Sequence, residues 1–107
     1  MTKISIIVPA YNEEKTIYSI LQSVREQKIR EFIFEIIVID DGSTDKTVEI
    51  LESHPHLYDR LLKQESNSGK GAAVIAGLSI ATGDYILFQD ADLEYDPTEY
   101  AALLMPV

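Results

Sequence analysis

Phe34-Glu35-Ile36-Ile37-Val38-Ile39-Asp40-Asp41-Gly42-Ser43 is a near-continuous β-branched apolar stretch, interrupted only by Glu35, that stops at two acids and a turn glycine. A strand apolar on both faces is buried on both sides, the usual state of a strand inside a parallel sheet covered by helices. Upstream, Ile4-Ser5-Ile6-Ile7-Val8 ends at Pro9 and leads into Ala10-Tyr11-Asn12-Glu13-Glu14. Downstream, Tyr85-Ile86-Leu87-Phe88 reads as another buried strand and runs through Gln89 to Asp90-Ala91-Asp92. Each apolar run closes on polar residues. In an open α/β sheet the ligand crevice lies beyond the carboxyl ends of the strands, so these three loops are expected to converge on one site.

Between the strands the apolar residues shift to helical spacing. Ile17, Ile20, Leu21 and Val24 form a core-facing stripe, with Asn12 as the expected cap and Glu13 and Glu14 in the first turn. After Asp41, Gly42 allows a tight turn, and Ser43 or Thr44 is expected to cap a second helix through Val48 and Leu51 to His54-Pro55. Arg60-Leu61-Leu62-Lys63-Gln64 reads as a short strand near a sheet edge, being less apolar than the others. The loop Glu65-Ser66-Asn67-Ser68-Gly69-Lys70-Gly71 opens an alanine-rich helix from Ala72 to Ala81, which Gly83 is expected to terminate. Asp96-Pro97-Thr98-Glu99 has the capping pattern of a fourth helix, cut short by Pro106. This alternation predicts an α/β fold: a Rossmann-like, mostly parallel sheet with helices on both faces. The loop after the first strand lacks the G-x-G-x-x-G pattern, which argues against a nicotinamide or flavin dinucleotide.

Composition sets the outer bounds. The 107 residues, 46% of them hydrophobic, make one domain with a modest core. A formal charge of -9 argues against a nucleic-acid binder, which normally presents a basic face. There is no cysteine, hence no disulfide framework or thiolate metal site. No run approaches the roughly 18 consecutive apolar residues of a membrane span, and no signal sequence is visible, so a soluble, cytoplasmic chain is expected.

The two-residue spacing of Asp90 and Asp92 points both carboxylates to one side of an extended segment. Mg²⁺ or Mn²⁺ would remove their mutual repulsion, commonly with a substrate phosphate completing the shell. An acidic surface loop is the competing reading. Gly69-Lys70-Gly71, at a helix start, could offer N–H groups and an ammonium to a phosphate, or Lys70 could simply be solvated. The P-loop spacing fails there, with Gln64 in place of the first glycine and Gly71 in place of its Ser or Thr. His54-Pro55-His56 has no further metal ligand nearby and reads as loop. Tyr11 could stack on a base and Asp40 accept from a base N–H, or Tyr11 could be a half-buried aromatic and Glu13 and Asp40 helix-cap acids.

Ile7-Val8-Pro9-Ala10-Tyr11-Asn12-Glu13-Glu14, Ile39-Asp40-Asp41-Gly42-Ser43-Thr44-Asp45 and Asp90-Ala91-Asp92 stand in the order of the family 2 glycosyltransferases of GT-A fold, and the chain resembles their nucleotide-sugar-binding half. Asn67-Ser68-Gly69-Lys70-Gly71-Ala72-Ala73 and Ala81-Thr82-Gly83-Asp84-Tyr85 are closest to the branch of dolichol-phosphate and polyprenyl-phosphate mannosyl- and glucosyltransferases. The resemblance assigns base and ribose to Pro9, Tyr11, Glu13 and Asp40, with Ala10 and Asp41 in the same turns and Lys70 and Ala91 on the nucleotide side. It places Asp90 near the ribose or metal, makes Asp92 the metal ligand, and puts Glu94 where some relatives have another metal-side group. The implied reaction is inverting transfer of a hexosyl group from a UDP- or GDP-linked sugar to a polyprenyl phosphate or saccharide. The resemblance also implies that residues 1–107 are a truncated donor half. Its acceptor side, any base and any membrane anchor would lie elsewhere, its activity alone would be slight, and its exposed sheet edge would favour self-association. Two other classes fit parts of the pattern: a nonenzymatic nucleotide-binding or interaction module, and a phosphoacceptor signalling domain. The latter needs a lysine on a late strand, whereas Lys70 opens a helix.

Overall fold

The computed structural model describes residues 1–91. The elements run β1 (Thr2–Ala10), α1 (Ile17–Glu26), β2 (Phe32–Asp40), α2 (Thr47–Ser53), a 3-10 turn at Pro55–Leu57, β3 (Arg60–Lys63), α3 (Lys70–Ile80) and β4 (Tyr85–Phe88). The four strands form one sheet in the order β3-β2-β1-β4, with every pairing parallel. The chain steps outward from β1 to β3, and then α3 carries it back to set β4 on the far side of β1. The direction of winding therefore reverses beside β1, and such a reversal is where open α/β sheets bind ligands.

Alternation along the two central strands assigns the faces. Ile4, Ile6 and Val8 of β1 and Ile36 and Val38 of β2 join Ile17, Ile20, Leu21 and Val24 of α1 and Leu51 of α2 in one buried cluster. Ile7, Ile37 and Ile39 form the second cluster with Ala73 of α3. Helices thus cover both faces, as the doubly apolar strands predict. Gly77 lets α3 lie close to the sheet, since a Cβ there would meet Ile39 Cδ1 at 2.7 Å.

Several expectations are corrected. Asn12 caps no helix: it holds a left-handed φ of 52°, and α1 begins later, with Thr16 at its N-cap. Glu13 and Glu14 accordingly precede α1. Neither Ser43 nor Thr44 caps α2. Lys46 holds the N-cap position without a side-chain capping bond, and Asp45 just before it grips the first helical residue, its Oδ1 accepting from the Thr47 N–H at 2.9 Å and the Thr47 hydroxyl at 2.6 Å. β4 is not buried, for Tyr85 and Phe88 are 52% and 50% exposed, because it is the edge strand of the described sheet. Gly83 lies beyond the helix end and serves a close approach instead, where a Cβ would stand 2.5 Å from the Ser5 backbone nitrogen. The expected helix from Asp96, with Asp92 and Glu94, lies outside the described residues. Among the described residues no helix is long and apolar enough to cross a membrane.

Candidate functional site

The loop after β1 and the loop after β2 are laced into one body. The Asn12 N–H donates to Ser43 Oγ at 2.9 Å, and Asn12 Oδ1 accepts the Thr44 N–H at 2.8 Å. The Glu13 N–H donates to Thr47 Oγ1 at 2.9 Å, and the Glu14 N–H to Asp45 Oδ2 at 3.2 Å. Burial of Asp45 pushes its carboxyl up, but the Thr47 hydroxyl and the N–H groups of Thr47 and Glu14 outweigh that and hold it below the ordinary aspartate value. Asp40 belongs to the same lacework. It is 2% exposed, and its carboxylate accepts from the Ser43 N–H at 3.0 Å and the Ser43 hydroxyl at 2.5 Å. It stabilises the turn from beneath rather than opening into the cleft.

Asp41, one residue on, has another task. Its two carboxylate oxygens accept the Ser68 and Gly69 N–H groups, each at 2.9 Å, tying the loop before α3 to the end of β2. That contact needs Gly42. At φ +76° any Cβ there would stand 2.6 Å from the Ser66 carbonyl carbon, a backbone atom with nowhere to move. The link fixes the start of α3 and hence Lys70, its first residue. The Lys70 ammonium pairs with Asp90 Oδ1, so a cation already sits on the acid at the end of β4.

These loops enclose a cleft of about 290 Å³ at the carboxyl ends of β1 and β4. Pro9, Ala10, Tyr11 and Glu13 line it from β1, and Asp90 and Ala91 from β4. Asp41, Asn67, Lys70 and Ala73 close the remaining side. Of the described residues with an expected nucleotide or metal role, Asp40 alone is absent from the lining. Asn67 was not singled out in the sequence. Its place one turn before a helix start that faces the acids is the signal that would have found it. Tyr11 is 39% exposed, leaving a ring surface available at the mouth. A larger hollow, about 480 Å³, lies at the opposite end of the sheet around Ile29 and Phe32. Size favours the hollow, but the converging acids, lysine and tyrosine favour the cleft, and chemistry decides.

A divalent cation fits the cleft in the chemistry of its donors. Asp90 offers hard carboxylate oxygens and already accepts a positive charge from Lys70. Among the described residues no three His, Asp or Glu side chains gather as a ligand set.

The chain is similar to known proteins in sequence and in fold. A dolichyl-phosphate beta-glucosyltransferase of Trichomonas vaginalis is 40% identical over 99 residues, covering 83% of this chain and 30% of that protein. The crystal structure of Staphylococcus aureus TarS 1–349 in complex with UDP-GlcNAc superposes with a TM-score of 0.79 at 35% identity, over 97% of this chain and 31% of that one. A mannosyltransferase from Pyrobaculum calidifontis, in complex with GDP-Man and Mn²⁺, gives a TM-score of 0.72 at 33% identity, over 83% of this chain and 27% of that one. The chain thus spans about a third or less of the length of each of these proteins. Residues 5–107 match the family described as Glycosyl transferase family 2, and the chain belongs to that family.

Proposed function

We propose that the cleft binds the donor of an inverting glycosyltransferase, a nucleoside diphosphate sugar whose hexosyl group passes to a polyprenyl phosphate or a saccharide. The observation that carries this is the convergence of Tyr11, Asp41, Lys70 and Asp90 on one cleft at the reversal of winding beside β1. Neighbours with UDP-GlcNAc and with GDP-Man and Mn²⁺ support it and leave both bases as candidates.

Each side chain has a task in this reading. Tyr11 offers its ring face to the base, with the phenol at the solvent edge. Glu13, held through its backbone N–H by Thr47, borders the base and ribose. Lys70, at the N-terminus of α3, places an ammonium and the helix dipole toward the diphosphate. Asp90 and Asp92 would hold Mg²⁺ or Mn²⁺, with Glu94 on the same side. A bound cation would neutralise charge developing on the departing diphosphate. In the transfer itself an acceptor oxygen attacks the anomeric carbon from the face opposite the leaving group. The bond from that carbon to the β-phosphate oxygen breaks, and the nucleoside diphosphate departs with the electron pair. A saccharide hydroxyl must also lose its proton to a base, whereas a lipid phosphate is already anionic.

Calorimetric titration with UDP, GDP and their sugars, with and without Mn²⁺, tests the assignment. One nucleotide should bind, and it should do so more tightly with the metal. Asp92→Ala should cost about tenfold or more in that metal-dependent affinity. A folded chain that binds neither nucleotide would overturn the proposal.

A further inference from the structure

We infer that the Lys70–Asp90 ion pair is a latch within the cleft, which a donor's diphosphate opens by taking the ammonium from the carboxylate. This deepens the donor-site reading above and rests on it. The two side chains come from different walls, Lys70 from the first residue of α3 and Asp90 from the end of β4, 20 positions apart in sequence. Both line the cleft, and the ammonium that the reading assigns to the diphosphate is held by Asp90 Oδ1. One positive charge therefore has two claimants, a carboxylate of the chain and the phosphates of the ligand.

The backbones at both ends of the pair are fixed. The Gln89 N–H donates to the Ile7 carbonyl at 2.9 Å, and the wholly buried Gln89 side chain donates from Nε2 to the Asp90 carbonyl at 3.0 Å. On the other wall Asp41 holds the Ser68 and Gly69 N–H groups, and the Gly69 carbonyl accepts the Ala73 N–H at 3.2 Å, which sets the first turn of α3. The mobile part is the lysine's flexible four-carbon stem. The paired side chains are 63% and 32% exposed, and an ion pair so open to water holds the closed arrangement by about fivefold at most. A diphosphate offers more charge and more acceptor oxygens than one carboxylate, at a helix start that favours anions, so the exchange runs toward the ligand. Only molecules with the ammonium released are ready for the diphosphate, and the latch lowers apparent affinity by that fraction.

A double-mutant cycle tests this. UDP and GDP affinities are measured calorimetrically without divalent metal for wild type, Lys70→Met, Asp90→Asn and the double variant. Removing the Asp90 charge favours an anion in any background, but only where Lys70 is present does it also release the ammonium. Asp90→Asn should therefore tighten the nucleotide by about two- to fivefold more in wild type than in the Lys70→Met background. Equal gains in the two backgrounds would overturn the latch while leaving the donor site in place. The Asp90 carboxyl carbon resonance gives a second readout. It should move in Lys70→Met and move the same way when wild type is saturated with the nucleoside diphosphate, and it should hold with uridine or guanosine, which carry no phosphate to claim the ammonium. A carboxyl resonance indifferent to Lys70→Met would overturn the latch. A folded wild-type chain that binds neither UDP nor GDP would overturn the donor reading, and the latch with it.

Discussion

Asp40 and Asp41 are adjacent in sequence and opposite in duty. Successive side chains of a strand point to opposite faces, so two neighbouring acids at its end cannot both turn to one ligand. Asp40 turns under its own loop to Ser43, and Asp41 turns to the N–H groups of Ser68 and Gly69. The motif was legible in the sequence, but this division of labour was not, because Ser68 and Gly69 are distant in the chain and only the fold brings them near. Charge-assisted bonds from backbone N–H groups contribute about 1.5–3 kcal/mol each when neither group can turn to water. Partial solvent access at this loop reduces that figure. Asp41→Ala should therefore lower stability by about 2 kcal/mol, read as a fall in the urea midpoint. Asp41→Asn, which keeps one carbonyl oxygen as acceptor, should lose less. Equal stability of wild type and Asp41→Ala would refute the tie between β2 and α3.

Among the elements, β1 and β2 announced themselves because burial on both faces leaves an unbroken apolar record, and α3 because alanine and small residues suit a helix lying close to a sheet. The start of α1 was misread because the Asn12 side chain is recruited by Thr44 and Asp45, partners invisible in a local window. β4 was misread because an apolar run does not reveal whether its strand lies inside a sheet or at its edge. Glu35, the acid that opens the buried run of β2, marks a clasp between elements. Its carboxylate accepts from the Ser5 hydroxyl at 2.7 Å and from the Thr82 N–H and hydroxyl at 3.0 Å each, and Lys3 Nζ stands 3.7 Å away. Burial pushes this carboxyl up, but those donors and the Lys3 ammonium outweigh it, so the folded value lies below the ordinary 4.5. A depressed carboxyl stabilises the fold in full above the unfolded value and loses that contribution as pH falls through the folded one. Wild type and Glu35→Gln should thus differ most in urea midpoint near neutrality and converge as pH falls below 4.5. A gap that stays constant into acid would show that the clasp does not depend on ionised Glu35.

For the whole molecule, the sheet order β3-β2-β1-β4 does what no single motif does, bringing the ends of β1 and β4 and the start of α3 to one cleft. Alternating elements predicted the class of fold and the end of the sheet at which the polar strand-end loops gather. They did not predict that Lys70 would sit on Asp90, which requires α3 to cross to the other face of the sheet. Nor did they reveal the larger hollow around Ile29 and Phe32, which lies at the opposite end and carries none of the converging strand-end residues. The most direct measurement is a two-dimensional NMR titration of the isotope-labelled chain with UDP and with GDP in the presence of Mg²⁺. Binding at the cleft predicts saturable shifts at Tyr11, Asp41, Gly69, Lys70, Asp90 and Ala91 for one of the two nucleotides, with Ile29 and Phe32 unmoved. Shifts centred on Ile29 and Phe32, or none with either nucleotide in a chain whose spectrum is that of a folded protein, would contradict a donor site at the β1 and β4 ends.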